Sequence, residues 1–180
     1  GTGTARRTAC FDAWLTSNTD NANTNGEYTY TTTPITARTT GTLRTFTETI
    51  LKSIIKDQWT NGGEPKILMV GPVNKQRVSG FVGIADIRQS VNGKQATIVG
   101  AADVYVSDFG NVSVVPNRFM PENRAYLVDP EHVNVAVLRP FHTEELAKTG
   151  DGRPFVVRIE AGLEVTNQAA HAVARDLTTT

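Results

Sequence analysis

From Phe155 to Thr166 the chain follows a period of two. The odd positions are Phe155, Val157, Ile159, Ala161, Leu163 and Val165, and the even positions include Arg158, Glu160, Gly162, Glu164 and Thr166. An α-helix repeats every 3.6 residues and would scatter these apolar side chains around its surface, whereas a strand gathers them on one face. About twelve residues is twice the usual strand length of about 5–6. At about 3.3 Å per residue such a strand spans roughly 40 Å. The fold must therefore contain a sheet that reaches beyond a compact lobe. The odd face is expected to be buried, and the even face to meet solvent or a neighbouring subunit.

Upstream the period changes. Leu43, Phe46, Ile50, Leu51, Ile54, Ile55 and Trp59 recur at spacings of three and four, predicting a helix over 43–60 with one apolar stripe. Thr45 with Glu48 could form a capping box, and Glu48 with Lys52 is an i,i+4 pair. Asn61-Gly62-Gly63 and Pro65 supply the stop. Lys66 to Val70 is a continuous apolar run that fits a strand buried on both faces. Asn74 can cap a second helix over 75–81. The stripe of 43–60 is expected to pack on the strand at 66–70, with Phe46, Ile50 and Ile54 buried.

The remainder reads as β. Short strands are expected at 96–99 and 103–106, then a turn at Ser107-Asp-Phe-Gly-Asn111, with 112–115 pairing back as a hairpin. Strands at 125–128 and 133–138 flank Asp129-Pro130, residues 141–148 suit a helical turn, and 149–152 form a loop. Residues 169–177 are expected to close against the same layer as the long strand. Residues 9–15 form an apolar piece that must dock, 16–42 are rich in Thr, Asn and Gly, and Tyr28 to Thr33 could make an edge strand. The fold class is α+β.

Composition removes several function classes. Eighteen basic and eighteen acidic residues give no net charge, which excludes a basic nucleic-acid binder. One cysteine, Cys10, excludes a disulfide framework and a cysteine-rich zinc site. No apolar run approaches the roughly 20 residues needed to span a bilayer, and no secretory leader is visible. The absent initiator Met suggests a cleaved product or a piece of a longer chain.

Candidate chemistry is sparse. His132, His142 and His171 show no metal-ligand spacing, so no metal or cofactor is expected. Asp108-Phe-Gly110 spells a kinase magnesium triplet but lacks every other kinase element, and reads as a hairpin turn with Gly at positive φ. Gly1-Thr-Gly3 follows no strand, as a dinucleotide loop must. Gly150-Asp-Gly152 reads as a turn, and Val78-Ser-Gly80 lacks the leading glycine of a nucleophile elbow. Glu144 and Glu145 are adjacent, so they point apart. Arg158, Glu160 and Glu164 share the polar face of the long strand and could pair across to a neighbouring strand or subunit. No catalytic, cofactor-binding or metal residue is assigned, and the chain is expected not to be an enzyme.

Several blocks carry a resemblance. Val104-Tyr-Val-Ser-Asp-Phe-Gly110, Val114-Val-Pro-Asn-Arg-Phe-Met120, Val137-Leu-Arg-Pro-Phe141, Leu146-Ala-Lys-Thr-Gly-Asp151 and Glu160-Ala-Gly-Leu-Glu-Val-Thr-Asn167 follow in order. Together they resemble the major head proteins of tailed bacteriophages, in particular the SU-ten-type family. The upstream helix–strand–helix order is similar to the axial lobe of the Hong Kong 97-type capsid fold.

The resemblance implies three regions. Residues 1–41 would end a peripheral region and lead inward, 42–140 would form the axial lobe, and 141–180 would return to a peripheral sheet through the long strand. The N-terminal arm, extended loop and spine helix of such proteins have no counterpart here. The implied function is a structural subunit of a phage head shell, assembling with copies of itself as hexamers and pentamers around DNA. Portal, scaffold and decoration proteins are the further partners implied, with no membrane, and the implied location is the virion after assembly in the host bacterial cytoplasm. A decoration module or an encapsulin-like compartment shell are the alternatives. Without arm, loop and spine, the chain alone is expected to form monomers or small oligomers in place of closed shells.

Overall fold

The computed structural model describes residues 9–22, 38–81, 104–148 and 150–179. The strands expected at 28–33 and 96–99 and the Gly1-Thr-Gly3 motif lie outside these residues. The described chain runs α1 (Phe11–Trp14), β1 (Thr19–Asp20), α2 (Glu48–Thr60), β2 (Ile67–Val70), α3 (Pro72–Ser79), β3 (Val104–Ser107), β4 (Gly110–Pro116), β5 (Arg124–Val128), β6 (Val133–Glu145), β7 (Phe155–Val165) and β8 (Ala172–Arg175). Single 3₁₀ turns at Pro130–His132 and Gln168–Ala170 flank the β6–β7 pair. The class is α+β.

Six strands form one mixed sheet in the order β1-β8-β5-β2-β4-β3, and β6 and β7 form a separate two-stranded ribbon. Within the sheet β1–β8 and β2–β4 are parallel and the other pairs antiparallel. The sheet draws strands from near both chain ends. Its core is Phe46, Leu51, Ile54 and Ile55 from the α2 region, Leu68 and Val70 from β2, Val112 and Val114 from β4, Leu127 from β5, and Ala172 and Ala174 from β8.

Several expectations need correction. The first helix starts at Glu48, not Leu43, because the hydroxyl of Thr47 accepts from the Ile50 N–H and caps the first turn. Leu43 therefore lies outside the helix and is exposed; Trp59, inside it, is also exposed, and Ile50 is only half-buried. Phe46 and Ile54 are buried as expected, though α2 lies chiefly across β8. Strand β2 is not buried on both faces: Leu68 and Val70 are buried while Ile67 and Met69 are partly open.

The second helix starts at Pro72, whose missing N–H costs nothing in a first turn. Asn74 is not its cap. It lies inside the helix, buried, and its amide donates to the Glu122 carbonyl at 2.6 Å. The Glu122 carboxylate does the capping, accepting from the Val73 N–H at 3.3 Å.

Residues 141–148 are not helical. Strand β6 runs on to Glu145 because Phe155 to Arg158 pair with His142 to Glu145, and cross-strand pairing overrides the helix propensity of Glu144 and Glu145. Finally, 169–177 does not close on the long strand. It enters the six-stranded sheet as β8, between β1 and β5.

A candidate assembly surface on the ribbon

The β6–β7 ribbon is antiparallel, with register shifts near Leu138 and near Pro140 and Phe141. Directly paired residues point the same way, so the register sorts the ribbon into two faces. One face gathers Val133/Val165, Val135/Leu163, Val137/Ala161, Thr143/Val157 and Glu145/Phe155, with Ile159 between. The other gathers Asn134/Glu164, Ala136/Gly162, Arg139/Glu160, His142/Arg158 and Glu144/Val156.

The polar face is stitched within the chain. Arg139 pairs with Glu160 at 3.2 Å and Arg158 with Glu144 at 3.1 Å. The expected partners of Arg158 and Glu160 thus lie on the neighbouring strand, and each such exposed pair contributes about 0.2–1 kcal/mol.

The apolar face is not buried, contrary to expectation. Val135, Val137, Phe141, Phe155, Val157 and Ile159 are between 44% and 72% exposed, and Leu138 at the register shift is 76% exposed. Alternation predicted the face correctly. It could not say what covers it, because a period records only which side chains share a side. The contribution of β6 was legible in Val133, Val135 and Val137 but was not extended past the bulges to Phe141.

The root of the ribbon is tightly built. His132 and Thr166 join its two strands, through the Thr166 N–H to the His132 carbonyl at 3.1 Å and a side-chain contact at 3.1 Å. Just inside the body, the Asp129 N–H donates to His171 Nδ1 at 3.2 Å. His171 is fully buried, with the Phe11 ring edge-on at 5.3 Å. Burial holds its imidazole below the ordinary value, against the pull of the Asp129 carboxylate. That carboxylate also accepts from the Glu64 and Glu131 N–H groups.

Next to this joint, buried Arg175 donates to the Asp12 carboxylate at 2.9 Å and to the Asp12 and Leu15 carbonyls at 2.9 and 2.8 Å. Arg124 takes the other Asp12 oxygen at 2.8 Å. Asp176, the one non-glycine residue at positive φ among those described, binds the Ala22 N–H at 3.1 Å and Arg38 at 2.7 Å. Burial pushes its carboxyl up, but the hydrogen bond from Arg38 and main-chain N–H groups prevail and hold it below the usual range.

The remaining motifs stand apart from one another. Asp108-Phe-Gly110 is a hairpin turn with Gly110 at φ 128°, and its Phe109 stacks on Trp59 at 5.1 Å. Ser79 lies in α3 and bonds the Lys75 carbonyl. Gly150 and Gly152 lie in the connection between β6 and β7. His142 contacts only the Pro140 carbonyl among the described hydrogen bonds. Among the described residues no three His, Cys, Asp or Glu side chains are grouped as metal ligands. No described helix is long and apolar enough to cross a membrane. What the arrangement offers is a long one-sided apolar surface on a pinned root.

A family model described as SU10 major capsid protein matches residues 1–178. No curated protein matches the chain. Among solved structures, it is similar to the virus-like particle from Pyrococcus furiosus, at 13% identity and TM-score 0.42, over 74% of this chain and 56% of that one. It is also similar to the holo-SrpI encapsulin complex from Synechococcus elongatus PCC 7942, at 16% identity and TM-score 0.42, over 72% and 49%. A third is Mycobacterium phage Ogopogo, at 13% identity and TM-score 0.37, over 92% and 62%. The chain thus spans about half to three-fifths of the length of these structures.

Proposed function

Because the chain belongs to the SU10 major capsid protein family, we propose that it is a structural subunit of a phage head shell. Copies join as hexamers and pentamers into an icosahedral capsid around DNA. The observation that carries this reading is the family match over residues 1–178. The ribbon supports it. An isolated two-stranded ribbon is marginal in water and gains stability when its apolar face is packed. A shell subunit has partners for such a face, and a solitary protein does not.

In this reading the body around α2 and β2–β5 is the axial lobe that faces a symmetry axis, and the ribbon is peripheral. A neutral chain suits a tile that encloses DNA without gripping it, since phosphate binding would call for clustered cations. The subunit works by shape and surface and catalyses nothing. Its location is the virion, after assembly in the host cytoplasm. Contacts with portal, scaffold or decoration proteins would be made by assembled rings.

Negative-stain microscopy of the full-length gene product, arm and spine included, tests the proposal, beside a Phe141→Lys/Val157→Lys variant. Rings or shells in the parent that are lost in the variant are expected. Monodisperse monomers for both at high concentration would overturn it.

A further inference from the structure

We propose that the Asp129–His171 contact is an acid-sensitive joint that sets the angle of the ribbon against the sheet. The two strands of the ribbon leave the body through different anchors. The β7 root is held by several neutral bonds. Asn18 donates to the Ala169 and His171 carbonyls at 2.7 and 2.8 Å, and Gln58 donates to the Ala170 carbonyl at 2.8 Å. The backbone of Ala170 also sits so close to Gly63 that a Cβ there would come within 2.7 Å. None of these contacts titrates.

The β6 root depends on Asp129. Its N–H is accepted by His171, its carboxylate accepts from Glu64 and Glu131, and Lys66 Nζ lies 3.6 Å away. Accepting at Nδ1 places the proton of the neutral ring on Nε2. That nitrogen is buried and makes no hydrogen bond of good geometry, though a main-chain interaction with His132 favours a proton on the ring.

A second proton changes the accounting. Both ring nitrogens then carry hydrogen, so Nδ1 can no longer accept and the Asp129 N–H is orphaned. The charged and titratable groups facing the ring are the Asp129 carboxylate, which attracts an imidazolium, and His132, which repels it when charged. Lys66, with Glu64 and Glu131 around it, reaches the ring only through Asp129. From α1 the ring meets Phe11 edge-on, which offers no charge. At Nδ1 the imidazolium regains a bond by drawing the Asp129 carboxylate away from Glu64, Glu131 and Lys66. Of these, the bond from the Glu131 N–H caps the Pro130–His132 turn, which then keeps only its main-chain bond from the His132 N–H to the Asp129 carbonyl. One root is freed and the other stays, so the ribbon changes angle and does not detach.

The test is hydrogen exchange of the whole chain, corrected for intrinsic rates, at about pH 7.5 and about pH 5. In acid, amides of 129–133 are expected to open about tenfold or more relative to those of Leu51–Ile55. His171→Gln keeps an acceptor but does not titrate, so the response disappears; His132→Gln retains it. One readout needs no variant: the Asp129 amide resonance should move with the same midpoint as the His171 imidazole. The proposal is overturned if that resonance ignores the midpoint or if His171→Gln responds like the parent. Opening of α2 in step with the joint would also overturn it, since that is general acid unfolding.

Discussion

Asp12→Asn removes one negative charge while keeping the side chain's shape. In the native protein Arg175 is fully buried and Asp12 only 2% exposed, so water cannot replace the lost partner. Breaking a buried ion pair from one side costs about 3–5 kcal/mol, because the other charge stays behind uncompensated. Here Arg175 keeps its bonds to the Asp12 and Leu15 carbonyls, which places the loss near the lower end, about 3 kcal/mol. The new amide also sets its own N–H groups toward Arg124 or Arg175, so one guanidinium loses its acceptor. Urea unfolding reads the loss directly. With a denaturant slope of about 1–3 kcal/mol per molar, the midpoint should fall by about 1–3 M. Salt should not restore it, since screening acts weakly on buried charge. Adding Arg175→Met should recover part of the loss by removing the stranded cation. A loss below about 1 kcal/mol, or one that vanishes in high salt, would mean that the pair behaves like a surface bridge and that α1 is not anchored through it.

Ile54→Ala truncates a fully buried side chain between α2 and the sheet and should cost about 2–5 kcal/mol, measured by the same unfolding curves. Gly63→Ala forces a methyl against the Ala170 backbone, and overpacking of that kind costs about 1–3 kcal/mol, visible as a lower melting temperature. The Asp176 carboxyl is held below its unfolded value, so its stabilisation is present above about pH 4 and is lost as pH falls through the lower, folded value. Asp176→Asn should accordingly flatten the acid limb of a stability–pH profile, and an unchanged limb would refute the clamp on Ala22 and Arg38.

The parts of the fold that depend on local pattern were legible. The period of two marked β7, and the three–four stripe marked α2 but placed its start about a turn and a half too early. The hairpin at Ser107 to Asn111 followed from the need for positive φ at Gly110. Other parts depended on residues far apart in sequence. Nothing near Glu144 and Glu145 reveals that they will be drawn into a strand by Phe155 to Arg158. Nothing in Arg175 names Asp12 as its partner, 163 positions away. The candidate surface was half legible for the same reason: which residues share its face is a local fact, and its exposure depends on what packs there.

Strand β8 has a consequence for the order of events in the cell. It lies between β1 and β5, yet it follows every other described strand in the sequence. Until residues 172–175 are made, the edge of β5 is open, β1 has no partner among the described strands, and the carboxylate of Asp12 lacks the buried cation that meets it. Such distant closure delays folding relative to a sheet assembled from neighbouring hairpins. A body without residues 172–175 would leave β1 and β5 unjoined and Asp12 without Arg175, so this late segment carries both the sheet and the seat of α1.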